Sequence, residues 1–336
     1  MEHLALINNT IRVKESNTQL VLAALKRFGS ATRNEIARST GLSLSTCGNI
    51  LKTLLTSGEI LEGGVQSHSG GRPAQKYTYN KTRHLVASIA IVPQKSSYTV
   101  HYTIANLYKE KIAQNTFSRE ELHFISLESF LAMICKKFPT LKAIGIGLPS
   151  LLFHKFLKET SATQGTALSL LLSQKFNLKV QIEKSSAMIA IGHLKKHPYL
   201  AEKTIAAIIP SQDFVSAGYV FNGHIYRGSS CREGDFAFLP PKTLPIGASS
   251  QSPANQKTIF AIAASIATFQ AEVILLPESE TFSLPLPELK RICSKIFPHK
   301  IQPEFIMIED ILDTYISGAL DTAISSLQPN LTLVIN

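Results

Sequence analysis

Between Ser43 and Thr53 the sequence sets Ser45, Thr46, Asn49, Lys52 and Thr53 at helical spacing, opposite an apolar stripe of Cys47, Ile50, Leu51, Leu54 and Leu55. The polar set is short or flexible, able to donate and accept hydrogen bonds, and contains no acid. Side chains of this kind reach base edges and phosphates when a helix lies in a DNA major groove. The same face would also serve as ordinary solvated surface, so its neighbours have to decide. Downstream, Gly70-Gly71-Arg72-Pro73 puts one guanidinium on a slim backbone. Such an arm suits a narrow A·T-rich minor groove, whose negative potential attracts Arg. Arg33 and Lys76 add cations on either side of these two segments.

Those residues need positioning elements, and the punctuation of the sequence supplies them. A helix is expected after Asn17, burying Leu20, Val21, Ala24, Leu25 and Phe28 and ending at Gly29. Thr32-Arg33-Asn34-Glu35 reads as a capping box opening a second short helix, which Gly41 stops. Ser43 then caps the helix that carries the polar face. After Gly58 a strand over 59–62, a Gly/Ser-rich loop over 63–73 and a second strand with Tyr77 and Tyr79 on one face complete a hairpin. Three helices and a hairpin make a winged helix-turn-helix, with Gly70 to Pro73 where the wing should be, and this context favours DNA over plain solvation. The expected contacts are Arg33, Ser43, Ser45, Thr46, Asn49, Lys52, Arg72 and Lys76.

Charge agrees with that reading. The chain has 336 residues and a formal charge of +10. Residues 1–83 hold 11 Lys and Arg against 5 Asp and Glu, so most of the excess sits in the first quarter of the chain. A polyanionic partner is the natural counterpart of such asymmetry. Apolar runs such as 85–92 and 260–269 are far shorter than the roughly 18–20 residues of a membrane span, and the N-terminus has neither a basic n-region nor an apolar h-region, so a cytoplasmic location is expected. Cys47, Cys135, Cys231 and Cys293 are widely spaced, without the pairing expected of a metal site, and read as reduced thiols.

From Leu85 the pattern changes to three extended runs (85–92, 98–105, 111–117), a helix (121–138), a strand (143–148), a helix (165–176), a strand (179–183) and a helix (186–196). The order then recurs. Strands 204–210 and 215–221 lead to an Asn222-Gly223 turn of the type I′ kind and a short third strand. A Pro/Ser-rich loop, a helix (257–269), a strand (272–276), a helix (285–297), a strand (304–307) and a helix (310–326) follow. The predicted fold is α/β: a winged helix-turn-helix over 1–83, then a two-lobed actin-like domain of the RNase H-like, sugar-kinase type. Its lobes are 84–200 and a shortened 201–336.

At this point the chain resembles the ROK family of repressors and sugar kinases, in its DNA-binding regulator form. Ser30 to Ser57 and Gly70-Gly71-Arg72-Pro73 are similar to its winged helix, and Ala143 to Pro149 to its G-I-x-x-P-G strand end. Val180 to Glu183 stand before the position of its acidic N-D-A-N motif. Phe221 to Gly228 and Gly318-Ala319 complete the ordered set.

The resemblance also exposes losses. A kinase of this fold cradles phosphates on backbone N–H groups at the first hairpin turn of each lobe. Here those turns are Val92-Pro93-Gln94-Lys95 and Pro210-Ser211-Gln212-Asp213, without glycine and each with a proline that donates nothing. Where the family has a catalytic Asp, the chain has Ser185, and where its zinc-binding His and cysteine cluster would stand, it has Phe238 and no cysteine. The expected protein is therefore not an enzyme and carries no metal or cofactor.

It is expected to be a sequence-specific transcriptional regulator, a repressor of carbohydrate-related genes that binds a double-stranded operator as a homodimer or dimer of dimers. A sugar or sugar phosphate could be sensed through Lys184, Ser185 and Asp235. A residual sugar kinase and a DNA-binding scaffold without an effector are the alternatives.

Overall fold

The computed structural model describes residues 2–66, 74–162, 165–211, 215–228, 233–236, 252–278, 282, 284–297 and 302–327, with the backbone alone for 2–12, 65 and 66. Gly70 to Pro73, with Arg72, lie outside the described residues, as do Gln212, Asp213 and Phe238. The chain divides into two compact units, Met1–Arg83 and His84–Asn336.

In the smaller unit the first helix, α1 (Glu2–Phe28), begins 16 residues before the expected start. No Gly or Pro interrupts residues 2–28, so nothing stops helix propagation upstream of Asn17. Its buried face is Val21, Leu22, Ala24 and Leu25, whereas Leu20 and Phe28, expected in the stripe, are exposed. Gly29, at φ +71°, turns the chain into a short strand β1 (Ser30–Thr32). Thr32 then opens α2 (Arg33–Thr40) with both arms of a capping box: the Glu35 amide donates to Thr32 Oγ1 at 3.3 Å and the Thr32 amide to Glu35 Oε2 at 2.7 Å. Ser43 caps α3 (Leu44–Thr56) by accepting from the Thr46 amide at 3.0 Å. Cys47, Ile50, Leu51 and Leu54 are buried as expected, and Leu55 only half so.

Strands β2 (Ile60–Gln66) and β3 (Ala74–Tyr79) form the hairpin, with a register shift between Glu62 and Val65 where Gly63 and Gly64 lie. The first strand thus runs four residues past its expected end. The sheet is three-stranded and antiparallel in the order β1-β3-β2, because Ser30 to Thr32 pair with Lys76 to Thr78. Three residues carry too little periodicity to read as a strand in sequence.

The larger unit contains two five-stranded sheets of identical connectivity. The first is built from β4 (Leu85–Pro93), β5 (Tyr98–Asn106), β6 (Lys111–Arg119), β7 (Leu141–Leu148) and β8 (Lys179–Lys184), in the order β6-β5-β4-β7-β8. The second is built from β9 (Ile205–Pro210), β10 (Val215–Phe221), β11 (His224–Ile225), β12 (Val273–Pro277) and β13 (Glu304–Ile308), in the order β11-β10-β9-β12-β13. In each, three antiparallel strands are extended by two parallel ones. Asn222 and Gly223 both have positive φ, as a type I′ turn requires. β4 and β12 are buried on both faces and read as continuous apolar runs.

Helices α4 (Phe124–Lys137), α5 (Ser150–Thr160), α6 (Gly165–Phe176), α7 (Ser185–Lys196), α8 (Pro253–Phe269), α9 (Leu286–Ile296) and α10 (Ile311–Ser326) cover these sheets. α5 lies in a segment expected to be a connection. Its buried Leu152, Phe153 and Phe156 have i, i+1, i+4 spacing, a signal present in the sequence but overlooked beside the Pro149 break. α8 starts four residues early because Ser252 caps it and Pro253 takes the first turn.

Two helices of the larger unit cross between the sequence segments 84–200 and 201–336. α7, at the end of the first half, packs on β9 and β10 of the second sheet, while α10, at the chain's far end, packs on β4 and β7 of the first. The two helices cross where Gly192 meets Thr314 and Gly318 meets Met188. A Cβ on either glycine would overlap a backbone carbonyl of the other helix, so the crossing depends on both. No helix among the described residues is long and apolar enough to cross a membrane.

Candidate functional site

On α3, Ser43, Ser45, Asn49, Lys52 and Thr53 are exposed and Thr46 is half-buried. The polar face therefore exists as a surface. Ser43 and Thr46 are tied to each other, Oγ to Oγ1 at 2.8 Å, and the Thr53 hydroxyl bonds back to the Asn49 carbonyl at 3.0 Å. The side chains of Asn49 and Lys52 make no hydrogen bond or ion pair among the described residues and remain available to a partner. Arg33, at the first position of α2, lays its side chain along Gly48 of α3. α2 thus delivers a cation beside Asn49. Lys76 is half-buried in the ladder opposite Thr32, which places it by the start of α2 and not on α3. Glu35 of α2 is exposed and spends one carboxylate oxygen on Thr32.

The second candidate region joins the two lobes of the larger unit. Lys184, at the end of β8, is 2% exposed, and its ammonium lies 3.1 Å from Glu233 Oε1 and 3.8 Å from Asp235 Oδ1. It also donates to the Glu233 carbonyl. The other Asp235 oxygen meets His154 Nε2 of α5 at 2.6 Å. Beside this cluster the Arg227 Nε donates to Glu183 Oε1 at 2.6 Å, and Gly228 N to Glu233 Oε2 at 3.1 Å. Burial pushes the Glu183 carboxyl up from its ordinary range, with Arg227 opposing that shift. Ser216 Oγ links Ser150 at 2.9 Å and Ser186 at 3.1 Å. The 233–235 segment is stitched to β10 through Ala217 N to Gly234 O at 2.8 Å.

This geometry changes the reading of three residues. Lys184 is enclosed by two carboxylates and is 2% exposed, in place of the open cation expected beside an effector. Asp235 is buried: its Oδ2 is taken by His154, while its Oδ1 makes no hydrogen bond and lies 3.8 Å from the Lys184 ammonium. Ser185 stands half-buried at the start of α7, next to the cluster and outside its hydrogen bonds. The participants not foreseen were His154, Arg227 and Glu233. His154 was hidden by the overlooked α5, and the other two come together only through the fold.

In the first hairpin turn two backbone positions are closed to a phosphate. Pro93 is paired with Tyr98 at the strand end, and the Gln94 amide is spent on the Ser97 carbonyl at 2.8 Å. Gly145 and Gly147, in the strand-end motif, serve packing: added side chains would collide with Ala319 and Tyr315 of α10. Among the described residues no group of His, Cys, Asp and Glu is arranged to hold a metal ion.

No protein-family model and no curated protein sequence matches the chain. Solved structures do. A ROK family transcriptional regulator, a homologue of the E. coli Mlc protein, superposes with a TM-score of 0.58 at 14% identity, covering 94% of this chain and 97% of its own. A ROK hexokinase from Thermus thermophilus gives a TM-score of 0.52 at 12% identity, over 73% of this chain and all of its own. A glucokinase from Parabacteroides distasonis gives 0.50 at 12% identity, over 73% and 99%. The mixed α/β fold therefore matches that of ROK proteins and actin-like sugar kinases. The kinase matches are about as long as the larger unit, whereas a match over 94% of the chain must also draw on the smaller one.

Proposed function

We propose that this protein is a sequence-specific DNA-binding transcriptional regulator, acting as a repressor, whose smaller unit is a winged helix-turn-helix. α3 enters the major groove, with Asn49 reading a base edge and Lys52 and Arg33 holding phosphate. Arg72 of the wing reaches the adjoining minor groove. The observation that carries the reading is the exposed face of α3, where uncharged hydrogen-bonding groups and two cations stand together. The match to a regulator over both units supports it.

The larger unit, on this proposal, is an actin-like module without catalysis that assembles the protein into a dimer or dimer of dimers, so that two recognition helices face half-sites about 10 to 10.5 bp apart or a multiple of that. It works in the cytoplasm and bears on carbohydrate-related genes. Ser185 offers no unaided general base, and Pro93 with the occupied Gln94 amide removes one phosphate cradle. Selection of bound sequences from a random duplex library tests the proposal. Recovery of a two-fold symmetric consensus is expected, and unselective binding over the whole library would refute it.

The enclosure of Lys184 favours a second reading within the same class, a regulator to which this cleft contributes no sugar effector. Operator release by sugars or sugar phosphates separates the two. Release would show that the ion cluster opens, and its absence across the panel would assign the cleft a structural role.

A further inference from the structure

The ion pairs of the Lys184 cluster run from one half of the larger unit to the other. His154 of α5 and the neighbours Glu183 and Lys184 at the end of β8 belong with the first sheet. Arg227, Glu233 and Asp235 follow β11 of the second. Lys184 meets Glu233 at 3.1 Å and Asp235 at 3.8 Å, His154 meets Asp235 at 2.6 Å, and Arg227 donates to Glu183 at 2.6 Å. Each half offers both signs. Glu183 faces a cation and the adjacent Lys184 faces two carboxylates, so sliding one half past the other would bring like charges together.

Each side is seated in its own sheet. Glu183 and Lys184 pair with Gly147 and Leu148 in the β7–β8 ladder. On the other side Asp235 bridges to Ser216 of β10, and the Ala217 amide donates to the Gly234 carbonyl at 2.8 Å. Gly234 has φ +71°, and a Cβ there would lie 2.2 Å from the Ala217 carbonyl oxygen, so this seat requires glycine. The halves are also joined by α7, which starts at Ser185 beside Lys184 and packs on β9 and β10. One to two turns along it, Met188 and Gly192 meet Gly318 and Thr314 of α10. That crossing is a backbone contact between helices and contains none of the cluster's charges.

Charge makes this connection reversible in a way that an apolar one is not. Carrying ions out of water costs about as much as their attraction returns, so parting all of them together and rehydrating them is nearly balanced. Removing one ion alone is not balanced, because its partner stays buried and unmatched. Asp235 Oδ1 is buried without a hydrogen bond and gains one from water when the halves part. A closed form held by such contacts gives way as a whole, not contact by contact.

We propose that His154, Glu183 and Lys184 on one side and Arg227, Glu233 and Asp235 on the other form an ionic clasp, which holds the two halves of the larger unit closed without a ligand and opens as one unit about the α7–α10 crossing. The clasp belongs to the larger unit alone, so it stands or falls separately from the DNA-binding proposal.

The test is the distance between the halves in the full-length protein, read by pulsed electron spin resonance. Nitroxides go on Leu170→Cys of α6 and Lys295→Cys of α9, both exposed, while Cys135→Ser and Cys231→Ser remove competing thiols and Cys47 and Cys293 are buried. Dilution with unlabelled protein removes distances between copies. The wild type should give one distance. Lys184→Met should raise the ratio of open to closed about a hundredfold or more, by stranding two carboxylates, and Arg227→Gln about tenfold, by removing one charged hydrogen bond. Together they should populate a second, longer distance. His154→Gln with Arg227→Gln, which keeps Lys184, should give that same longer distance in smaller amount and carries the test if Lys184→Met fails to fold. A single unchanged distance in the combined variants, a broad spread in place of a second distance, or a wild type already divided between two distances would each overturn the clasp.

Discussion

Replacing Lys184 by Met removes a cation and keeps most of the side-chain volume. In the native protein that ammonium sits between Glu233 and Asp235 at 3.1 and 3.8 Å, and the lysine and both carboxylate side chains are less than a tenth exposed. Taking away one partner of a buried pair costs about 3–5 kcal/mol, because the opposite charge is left in a poor solvent. His154 remains on Asp235 and softens the loss for that group, while Glu233 keeps only the Gly228 amide. The lower half of that range, about 3 kcal/mol, is the reasoned figure. For a unit of this size it corresponds to a fall in Tm of roughly 6–12 °C at neutral pH. Urea unfolding followed by circular dichroism, with Lys184→Met beside Lys184→Met/Asp235→Asn, reads both the loss and its cause. The double variant should recover the smaller part of the deficit, since the Glu233 charge stays stranded. A single variant within about 0.5 kcal/mol of wild type would refute the enclosed cluster, since an exposed pair is worth no more than that.

The DNA face makes a paired prediction: Asn49→Ala should blur preference at particular base pairs by about 1–3 kcal/mol, while Lys52→Ala should weaken all sequences alike and flatten the salt dependence by about one phosphate. Binding-site selection repeated on each variant distinguishes them, and an unchanged consensus for Asn49→Ala would misplace α3. Arg72→Ala should lower affinity most for operators with A·T-rich flanks, whereas equal loss on G·C-rich flanks would make Arg72 a phosphate contact. His193 adds a pH dependence, since burial, then His197 and Lys196, lower its pKa to about 4. The unfolded chain binds that proton from about pH 6.5 downward and the folded one does not, so this contribution is complete above 6.5 and declines as the pH falls toward 4. The loss is on the order of 2 kcal/mol at pH 5, and His193→Leu should flatten it in urea titrations at the two pH values. Finally, ATP with hexoses or N-acetylhexosamines should yield no ADP above a buffer blank, and the purified protein should contain no stoichiometric zinc; turnover abolished by Asp235→Ala, or one zinc per chain, would contradict the non-catalytic reading.

The sequence by itself determined the features that depend on neighbours along the chain. Thr32 with Glu35, Ser43 with Thr46, the positive φ at Gly29 and Gly41, and the Asn222-Gly223 turn are contacts within a few residues, so residue type and spacing specify them. The recurring order of strands and helices was legible for the same reason, as was the polar face of α3, since helical periodicity alone separates Asn49 and Lys52 from Ile50 and Leu54. The upstream extension of α1 and the i, i+1, i+4 spacing of α5 are local signals too, masked by a cap residue at Asn17 and by Pro149.

Tertiary structure alone decided the rest. That α7 and α10 each cover the sheet of the other half follows from how Gly192 and Gly318 let two distant helices approach, and neither glycine announces its partner. Lys184 reads in sequence as a free cation near a ligand site. Whether it is one depends on Glu233 and Asp235, some 50 residues away, because a charge is neutralised by what lies within a few ångströms in space.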